Sequence, residues 1–232
     1  MAFRGKLIAA SGDAKTVKGE GKGYLTAIMH LAPHTIGTKK TLCAHASPAC
    51  MLACLYTAGR GAFNSVQVAR MRKAAWFEND RQGFMVQLAH DIDRFQAYAT
   101  RRDLVPCVRL NGTSDILWER IRFGRAGQNI MTCFPRLQYY DYTKCPPRLR
   151  RGLPANYDLT FSQAENNLHA TKQALNDGFR VATVFHALPS RHLGRKVLDG
   201  DLTDLRFLDP SPSIIGLKAK GQARHDVSGF VL

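Results

Sequence analysis

The chain has 232 residues, of which 45% are hydrophobic and 22% are charged, and it contains no internal repeats or low-complexity tracts. This composition argues against a disordered or repeat protein and predicts one folded domain over residues 1–232. No apolar run reaches the length of a membrane span, so we expect a cytoplasmic protein without membrane contact. The formal net charge of +15 favours a polyanionic partner, DNA or RNA, over a basic surface that contacts only water.

The predicted elements begin with an irregular or stranded segment, 1–40, followed by a cysteine loop, 41–61. A strand is predicted within 23–33, where Pro33 ends it. Two helices follow, because apolar residues recur at helical spacing; they span 64–80 and 80–103. Further strands are predicted at 105–110, 137–143, 157–162, 180–185 and 213–218, and further helices at 114–123 and 163–178.

The alternation of strands and helices predicts an α/β fold with a mainly parallel sheet. Few helical segments follow the last predicted strands. This thin coverage favours a partial or distorted β/α barrel over a complete eight-fold one.

Polar side chains follow two of the predicted strands. Asn111, Ser114 and Asp115 come after 105–110, while Asp141 and Lys144 mark the end of the next strand. Because chemistry collects at the carboxyl ends of parallel strands, we expect these five residues to line a pocket. Helix capping is the structural alternative for Ser114 and Asp115. In another alternative, Asp115 and Asp141 hold Mg²⁺ in a nuclease or replication protein.

Three cysteines, Cys43, Cys50 and Cys54, fall within twelve residues of the loop. Cys50 and Cys54 share one face of a helical turn, so three thiolates can converge. They can ligate a [4Fe–4S] cluster whose open iron binds substrate or S-adenosylmethionine. With His45 as a fourth ligand, they can instead form a closed zinc site. Buried free thiols are the remaining alternative, but the spacing favours metal ligation.

Three ordered blocks resemble the phage and plasmid gene-product-88-like proteins. They are TLCAHASPACMLACLYTAGRGAFNSVQVARMRKAAWF (41–77), VRLNGTSD (108–115) and YYDYTK (139–144). The resemblance covers about residues 41–144. It implies a phage or mobile-element origin, hence the host cytoplasm, and a radical-SAM-like barrel.

The cysteine loop is also similar, more loosely, to that of radical S-adenosylmethionine enzymes. Those enzymes use a Cys-x3-Cys-x2-Cys loop with an aromatic residue just before the last cysteine. Here the spacing is Cys-x6-Cys-x3-Cys, and the aromatic residue, Tyr56, follows the last cysteine. The resemblance implies a [4Fe–4S] cluster on the three cysteines and places Tyr56 beside the cofactor.

Four basic residues lie in the loop or in the helix that follows it: Arg60, Arg70, Arg72 and Lys73. We expect them to contact phosphates from an exposed side of that helix, although such residues can also serve only to solvate it.

The favoured hypothesis is an iron–sulfur, radical-SAM-like enzyme that acts on nucleic acid or a nucleotide. A zinc-stabilised nucleic-acid-binding protein without catalysis is the first alternative. The Mg²⁺-dependent nuclease or replication protein is the second.

Overall fold

The computed structural model describes residues 5–10 and 14–232. The strands are β1 (Ile8–Ala10), β2 (Tyr24–Met29), β3 (Val105–Arg109), β4 (Gln138–Thr143), β5 (Tyr157–Ser162), β6 (Val181–Phe185), β7 (Arg191–His192), β8 (Arg195–Asp199) and β9 (Ile214–Lys218). The helices are α1 (Ala14–Glu20), α2 (Pro48–Leu52), α3 (Asn64–Asn79), α4 (Arg81–Thr100), α5 (Ile130–Cys133), α6 (Pro146–Leu149) and α7 (Leu168–Asn176). Short 3-10 segments lie at Leu55–Thr57, Gly59–Ala62, Trp118–Arg120, Arg206–Leu208 and Gly221–His225.

The strands form one sheet in the order β1-β2-β3-β4-β5-β6-β9-β8-β7. Neighbours from β2 through β8 are parallel, while β1 and β7 are antiparallel edge strands. The α/β class with a mainly parallel sheet is therefore confirmed. Over the described residues the two edges do not meet, so the sheet is open and the predicted partial or distorted barrel is not confirmed.

The two faces of the sheet differ because successive side chains of a strand point to opposite sides. Leu25 of β2 and Val108 of β3 belong to a large apolar cluster that also contains Phe84 and Leu88 of α4. Helices therefore cover that face. The opposite face carries more polar side chains, including Arg109 at the end of β3.

The predicted helix 114–123 is wrong, because side-chain hydrogen bonds hold this segment in a loop with one 3-10 turn. Oδ1 of Asn111 accepts from Oγ of Ser114 at 2.9 Å, from N of Ile116 at 3.0 Å and from Nε1 of Trp118 at 2.9 Å. These bonds compete with the helical pattern of backbone hydrogen bonds.

Two further boundaries differ from the sequence prediction. The predicted helix 163–178 begins only at Leu168. Oδ1 of Asn167 accepts from N of Ala164 at 2.7 Å, and Nδ2 donates to the Ser162 carbonyl at 3.0 Å, which keeps the preceding residues in a turn. In the segment expected to be irregular or stranded, the structure adds helix α1.

Gly112 provides a test of how closely the turn after β3 packs on β2. A Cβ at this position would lie 2.6 Å from the Met29 carbonyl oxygen and 2.7 Å from Cδ2 of His30. We expect Gly112→Ala to lower the free energy of unfolding by about 1–3 kcal/mol, as overpacking does. Urea denaturation followed by circular dichroism measures the change.

Gly152→Ala is the matched control, because a Cβ there meets nothing within 4 Å. Equal stability of the two variants would contradict the close approach at Gly112.

Candidate functional site

A cavity of about 770 Å³ lies at the carboxyl ends of the parallel strands. Six strands contribute side chains to its wall: Ile28, Arg109, Tyr142, Ser162, Val184 and Leu217. The pairing register places Ile28 beside Arg109 and Val184 beside Leu217. Parallel α/β folds bind ligands at this end of the sheet. The cavity is therefore the candidate functional site.

All three clustered cysteines line this cavity. Cys43, Cys50 and Cys54 belong to the loop that follows β2, the first parallel strand in the chain. Ser47 organises the loop locally, because its Oγ accepts a hydrogen bond from N of Cys50 at 3.2 Å and caps α2. Pro48 occupies the first position of α2, where its fixed φ suits a helix start. The three cysteines therefore share one cavity wall, and their convergence on a metal stays a prediction.

Glu165 ties this cysteine loop to the turn after β5. Its Oε2 accepts a hydrogen bond from Oγ of Ser47 at 2.6 Å, and its Oε1 accepts from N of Ala49 at 3.2 Å. The carboxylate therefore meets the start of α2, where unpaired backbone N–H groups favour negative charge. Glu165 had no predicted role, because its partners lie more than a hundred residues away in sequence.

Burial dominates the electrostatics of the cysteine thiols. It raises the pKa of Cys43 to about 11, against a hydrogen bond from the His34 backbone and with a further increase from Cys54. Burial also raises the pKa of Cys54, and a hydrogen bond from the Tyr56 backbone opposes that increase. Both thiols therefore keep their protons at neutral pH until a cation compensates the thiolate charge.

The fit of a single metal ion is poor. Across the described residues, no group of three or more His, Cys, Asp or Glu side chains could hold one metal ion. His45, the proposed fourth zinc ligand, is exposed and does not line the cavity. Tyr56 is buried, 5% exposed, and it packs against Arg70 rather than on the cavity wall.

The cavity wall is strongly cationic. It includes seven Lys or Arg residues, namely Arg60, Arg70, Arg109, Lys144, Lys218, Lys220 and Arg224. The described wall carries two acidic residues, Asp115 and Asp204. Nη1 of Arg109 donates to Oδ2 of Asp204 at 3.0 Å, so the charges of these two side chains cancel. The remaining excess of positive charge favours an anionic ligand.

Four of these cations are exposed, and one of them, Lys220, pairs with Asp201 at 2.9 Å. We call the other three the cationic rim: Arg60, Lys218 and Arg224. Among the four predicted phosphate contacts, only Arg60 belongs to it. Arg70 was expected on an exposed side of the helix, which is wrong: it is 9% exposed, and its Nη1 donates to the Tyr56 carbonyl at 3.2 Å.

The other two predicted phosphate contacts lie outside the main cavity wall. Lys73 is half-buried, its Nζ donates to the Leu7 carbonyl at 3.1 Å, and burial lowers its pKa to about 8. Arg72 is exposed on α3. The basic residues of this helix therefore do not form one exposed surface.

Asn111 and Ser114 line the cavity, but their polar groups are occupied within the turn after β3. Both atoms of the Asn111 amide are used, because its Nδ2 also donates to the Ile116 carbonyl at 3.0 Å. These hydrogen bonds give Asn111 and Ser114 a structural role, which is to hold the turn in shape.

Asp115 and Asp141 do not face one another across the cavity. Oδ2 of Asp115 accepts from N of Lys144 at 2.9 Å, and its Oδ1 accepts from Nη1 of Arg148 at 3.1 Å. Asp141 lies outside the cavity wall, where it accepts from N of Asn111 at 2.8 Å and from Oη of Tyr157 at 2.9 Å. This arrangement gives no support to a paired-carboxylate Mg²⁺ site.

Lys144 is the predicted pocket residue whose charged group is best placed in the cavity. Its Nζ donates to Oγ of Ser162 at 2.9 Å and lies 5.4 Å from the centroid of the Phe230 ring. Its positive charge also acts to lower the pKa of Cys54. The ammonium group is therefore held near the cysteine wall.

The wall residues that the sequence analysis did not predict include Arg109, His30 and His34. Burial lowers the pKa of His30 to about 3, with further lowering by Arg70 and Arg109. Both ring nitrogens of His34 are buried without a hydrogen-bond partner among the described residues. Arg109 ends β3 and His30 directly follows β2, so both could have been identified from their strand-end positions, whereas His34 carries no comparable sequence signal.

A profile of the family described as gene product 88 matches residues 4–232. The chain belongs to the gene product 88 family. The resemblance of the cysteine block and the two later blocks is therefore confirmed and extends through the C-terminal third. The comparisons do not support the looser resemblance to radical S-adenosylmethionine enzymes.

Comparisons with curated proteins and with solved structures find no match. Of the helices in the described part of the chain, none is long and apolar enough to cross a membrane.

Asp141 predicts a pH dependence of stability. Burial raises its pKa in the folded state to about 7, so the neutral acid is favoured. Its stabilising contribution is fully present below the unfolded-state pKa near 4 and is lost as the pH rises through about 7. The free energy of unfolding of Asp141→Asn, relative to that of the wild type, should therefore be higher at pH 8 than at pH 5 by on the order of 1–3 kcal/mol.

Urea unfolding of both proteins at the two pH values measures this difference. Asp93→Asn, on the exposed side of α4, is the control and should differ from wild type equally at both pH values. A pH-independent difference for Asp141→Asn would contradict the shifted ionisation.

Proposed function

We propose that this protein is an iron–sulfur enzyme in which Cys43, Cys50 and Cys54 hold a [4Fe–4S] cluster at the strand-end cavity. The observation that carries the proposal is the presence of three thiols and an excess of cationic side chains on one cavity wall. The cavity volume of about 770 Å³ lies in the range of small-molecule sites.

The donor set suits a cluster better than one ion. A four-iron cluster is wider than a single ion, so its thiolates stand further apart, in keeping with a triad that shares a wall but forms no single-ion site. The backbone N–H groups of His34 and Tyr56 hydrogen-bond to the sulfurs of Cys43 and Cys54. Such hydrogen bonds stabilise thiolate ligands and help to set the reduction potential of a bound cluster.

A cluster held by three thiolates supplies an open iron that can coordinate a substrate or S-adenosylmethionine. The protein's own residues would bind and orient the substrate. Lys144 places positive charge on the inner wall, and the helices that cover the opposite face of the sheet limit water access from that side. A nucleotide, or one nucleotide of a nucleic acid, matches the cavity in both size and charge.

The exposed cations favour a polyanion over an isolated small molecule. Arg60, Lys218 and Arg224 surround the opening of the cavity, where a phosphate backbone can approach. We therefore propose that nucleic acid is the substrate and that the rim supplies its sequence-independent contacts.

The cluster proposal predicts metal loss from selected cysteine variants. After anaerobic reconstitution we expect iron and sulfide bound to the wild type, with broad absorbance near 400 nm from thiolate-bound iron. Replacing Cys43, Cys50 or Cys54 with Ser should remove most of the bound iron and sulfide and most of this absorbance. Iron and sulfide assays with electron paramagnetic resonance of the reduced protein provide the measurement.

Cys133→Ser is the matched control, because Cys133 is also half-buried but lies outside the cavity wall. Colourless protein with stoichiometric zinc, or iron retained in all three loop variants, would overturn the assignment.

The rim proposal predicts a loss of nucleic-acid affinity. Replacing Arg60, Lys218 and Arg224 together with Ala should weaken binding of a labelled oligonucleotide about tenfold or more at low salt and flatten its salt dependence. Fluorescence anisotropy at several salt concentrations measures both effects.

A second triple variant removes the same charge from exposed positions outside the cavity, namely Arg72, Arg94 and Lys172. If the two triple variants bind equally well, the rim has no special role.

A further inference from the structure

The ammonium group of Lys144 is a cation in the cavity with neutral contacts. Nζ donates one hydrogen bond, to Oγ of Ser162 at 2.9 Å, and lies near the ring of Phe230. Within the described residues no carboxylate forms an ion pair with it. Two of its three N–H donors therefore have no acceptor in the part of the chain that the structure describes.

The acidic residues on the same wall are already matched. Both carboxylate oxygens of Asp115 are used: Oδ2 accepts a hydrogen bond from the backbone N of Lys144, and Oδ1 pairs with Arg148 at 3.1 Å. Asp204 pairs with Arg109 and also accepts from Oη of Tyr140 at 3.3 Å. Neither carboxylate is available to balance the Lys144 ammonium.

The surroundings of this ammonium group are otherwise positive. Arg70 lines the same cavity, and the rim adds three exposed cations. An anion bound beside Nζ of Lys144 reduces the mutual repulsion of these positive charges, so the arrangement favours an anionic ligand. The Ser162 hydroxyl, which accepts from Lys144, keeps its own hydrogen to donate to the same anion.

We propose that Nζ of Lys144 and Oγ of Ser162 form an oxyanion subsite that holds a phosphate or carboxylate group of the ligand beside Cys54. This inference rests on the proposed function for the identity of the reacting partner, and it specifies how the substrate is oriented. Lys144 directly follows β4, and Ser162 is the last residue of β5; the two strands are paired, so rigid elements hold both residues.

The subsite lies near the cysteines, so it can position a bound ligand next to them. The Lys144 charge is close enough to Cys54 to lower the pKa of that thiol. An anion anchored here places the rest of the ligand between the strand ends and the cysteine loop. Lys144 is thus a binding residue that sets the distance between the substrate and the metal site.

Isothermal titration with inorganic phosphate, pyrophosphate and succinate tests the subsite on the whole chain, before and after cluster reconstitution. We expect Lys144→Gln to weaken binding of the preferred probe by about 10- to 100-fold, the usual contribution of a charge-assisted hydrogen bond. Lys144→Arg should retain more affinity than Lys144→Gln, and Ser162→Ala should show a smaller loss. Lys172→Gln, exposed on α7, is the control and should bind as wild type.

The probes also distinguish the two anion sources. Lys144-dependent binding of phosphate or pyrophosphate identifies a phosphate subsite, and Lys144-dependent binding of succinate identifies a carboxylate subsite. Wild-type affinity in Lys144→Gln, or no binding of any probe to the wild type, overturns the inference. If Lys144→Gln does not fold, the Lys144→Arg and Ser162→Ala titrations decide by the same criteria.

The subsite and the proposed function fail separately. Lys144-dependent binding in a protein that assembles no cluster supports the subsite and rejects the cluster. If the cluster depends on the cysteines but the Lys144 and Ser162 variants bind anions as the wild type does, the cluster is supported and the subsite is rejected.

Discussion

The buried guanidinium of Arg148 connects the strand ends that build the cavity. It is 1% exposed, donates to Asp115 and to Glu119, and donates to Oη of Tyr157 at 2.5 Å. Tyr157 in turn donates to Asp141, which also holds the turn after β3. Loss of Arg148 would leave two carboxylates without their cation, a change that typically costs about 3–5 kcal/mol. The position of Lys144 follows from this network, because Asp115 binds its backbone N–H.

Sequence patterns predicted six of the seven parallel strands, all except β8, and the two long helices, since apolar periodicity depends mainly on which face is buried. They did not predict that Asp141 points away from the cavity. It stands between Tyr140 and Tyr142 in β4, and only the pleat of the folded strand decides which of the three faces the cavity. The burial of Arg70 depends on the Tyr56 carbonyl, a contact of the cysteine loop that no helical pattern reveals.

The cysteines could be identified from their spacing, but the group that positions them could not. Glu165 reaches the start of α2 from the turn after β5, across 118 residues of sequence to Ser47. The same long-range dependence applies to the Lys144–Ser162 pair, of which the sequence analysis identified only Lys144 as a pocket residue. Their proximity results from the parallel pairing of β4 with β5, which aligns the two carboxyl ends.

If the three cysteines hold a cluster and Lys144 and Ser162 hold an anion, as proposed, the charges of the cavity link metal binding to anion binding. Burial makes the thiols of Cys43 and Cys54 reluctant to ionise, while Lys144 and Arg70 lower the cost of a thiolate at Cys54. A metal must displace the thiol protons before it binds, so these cations assist metal loading. An anion held by Lys144 cancels part of that assistance. Because binding free energies are reciprocal, a change in metal occupancy must then alter the affinity of the anion subsite through the one ammonium group that both sites share.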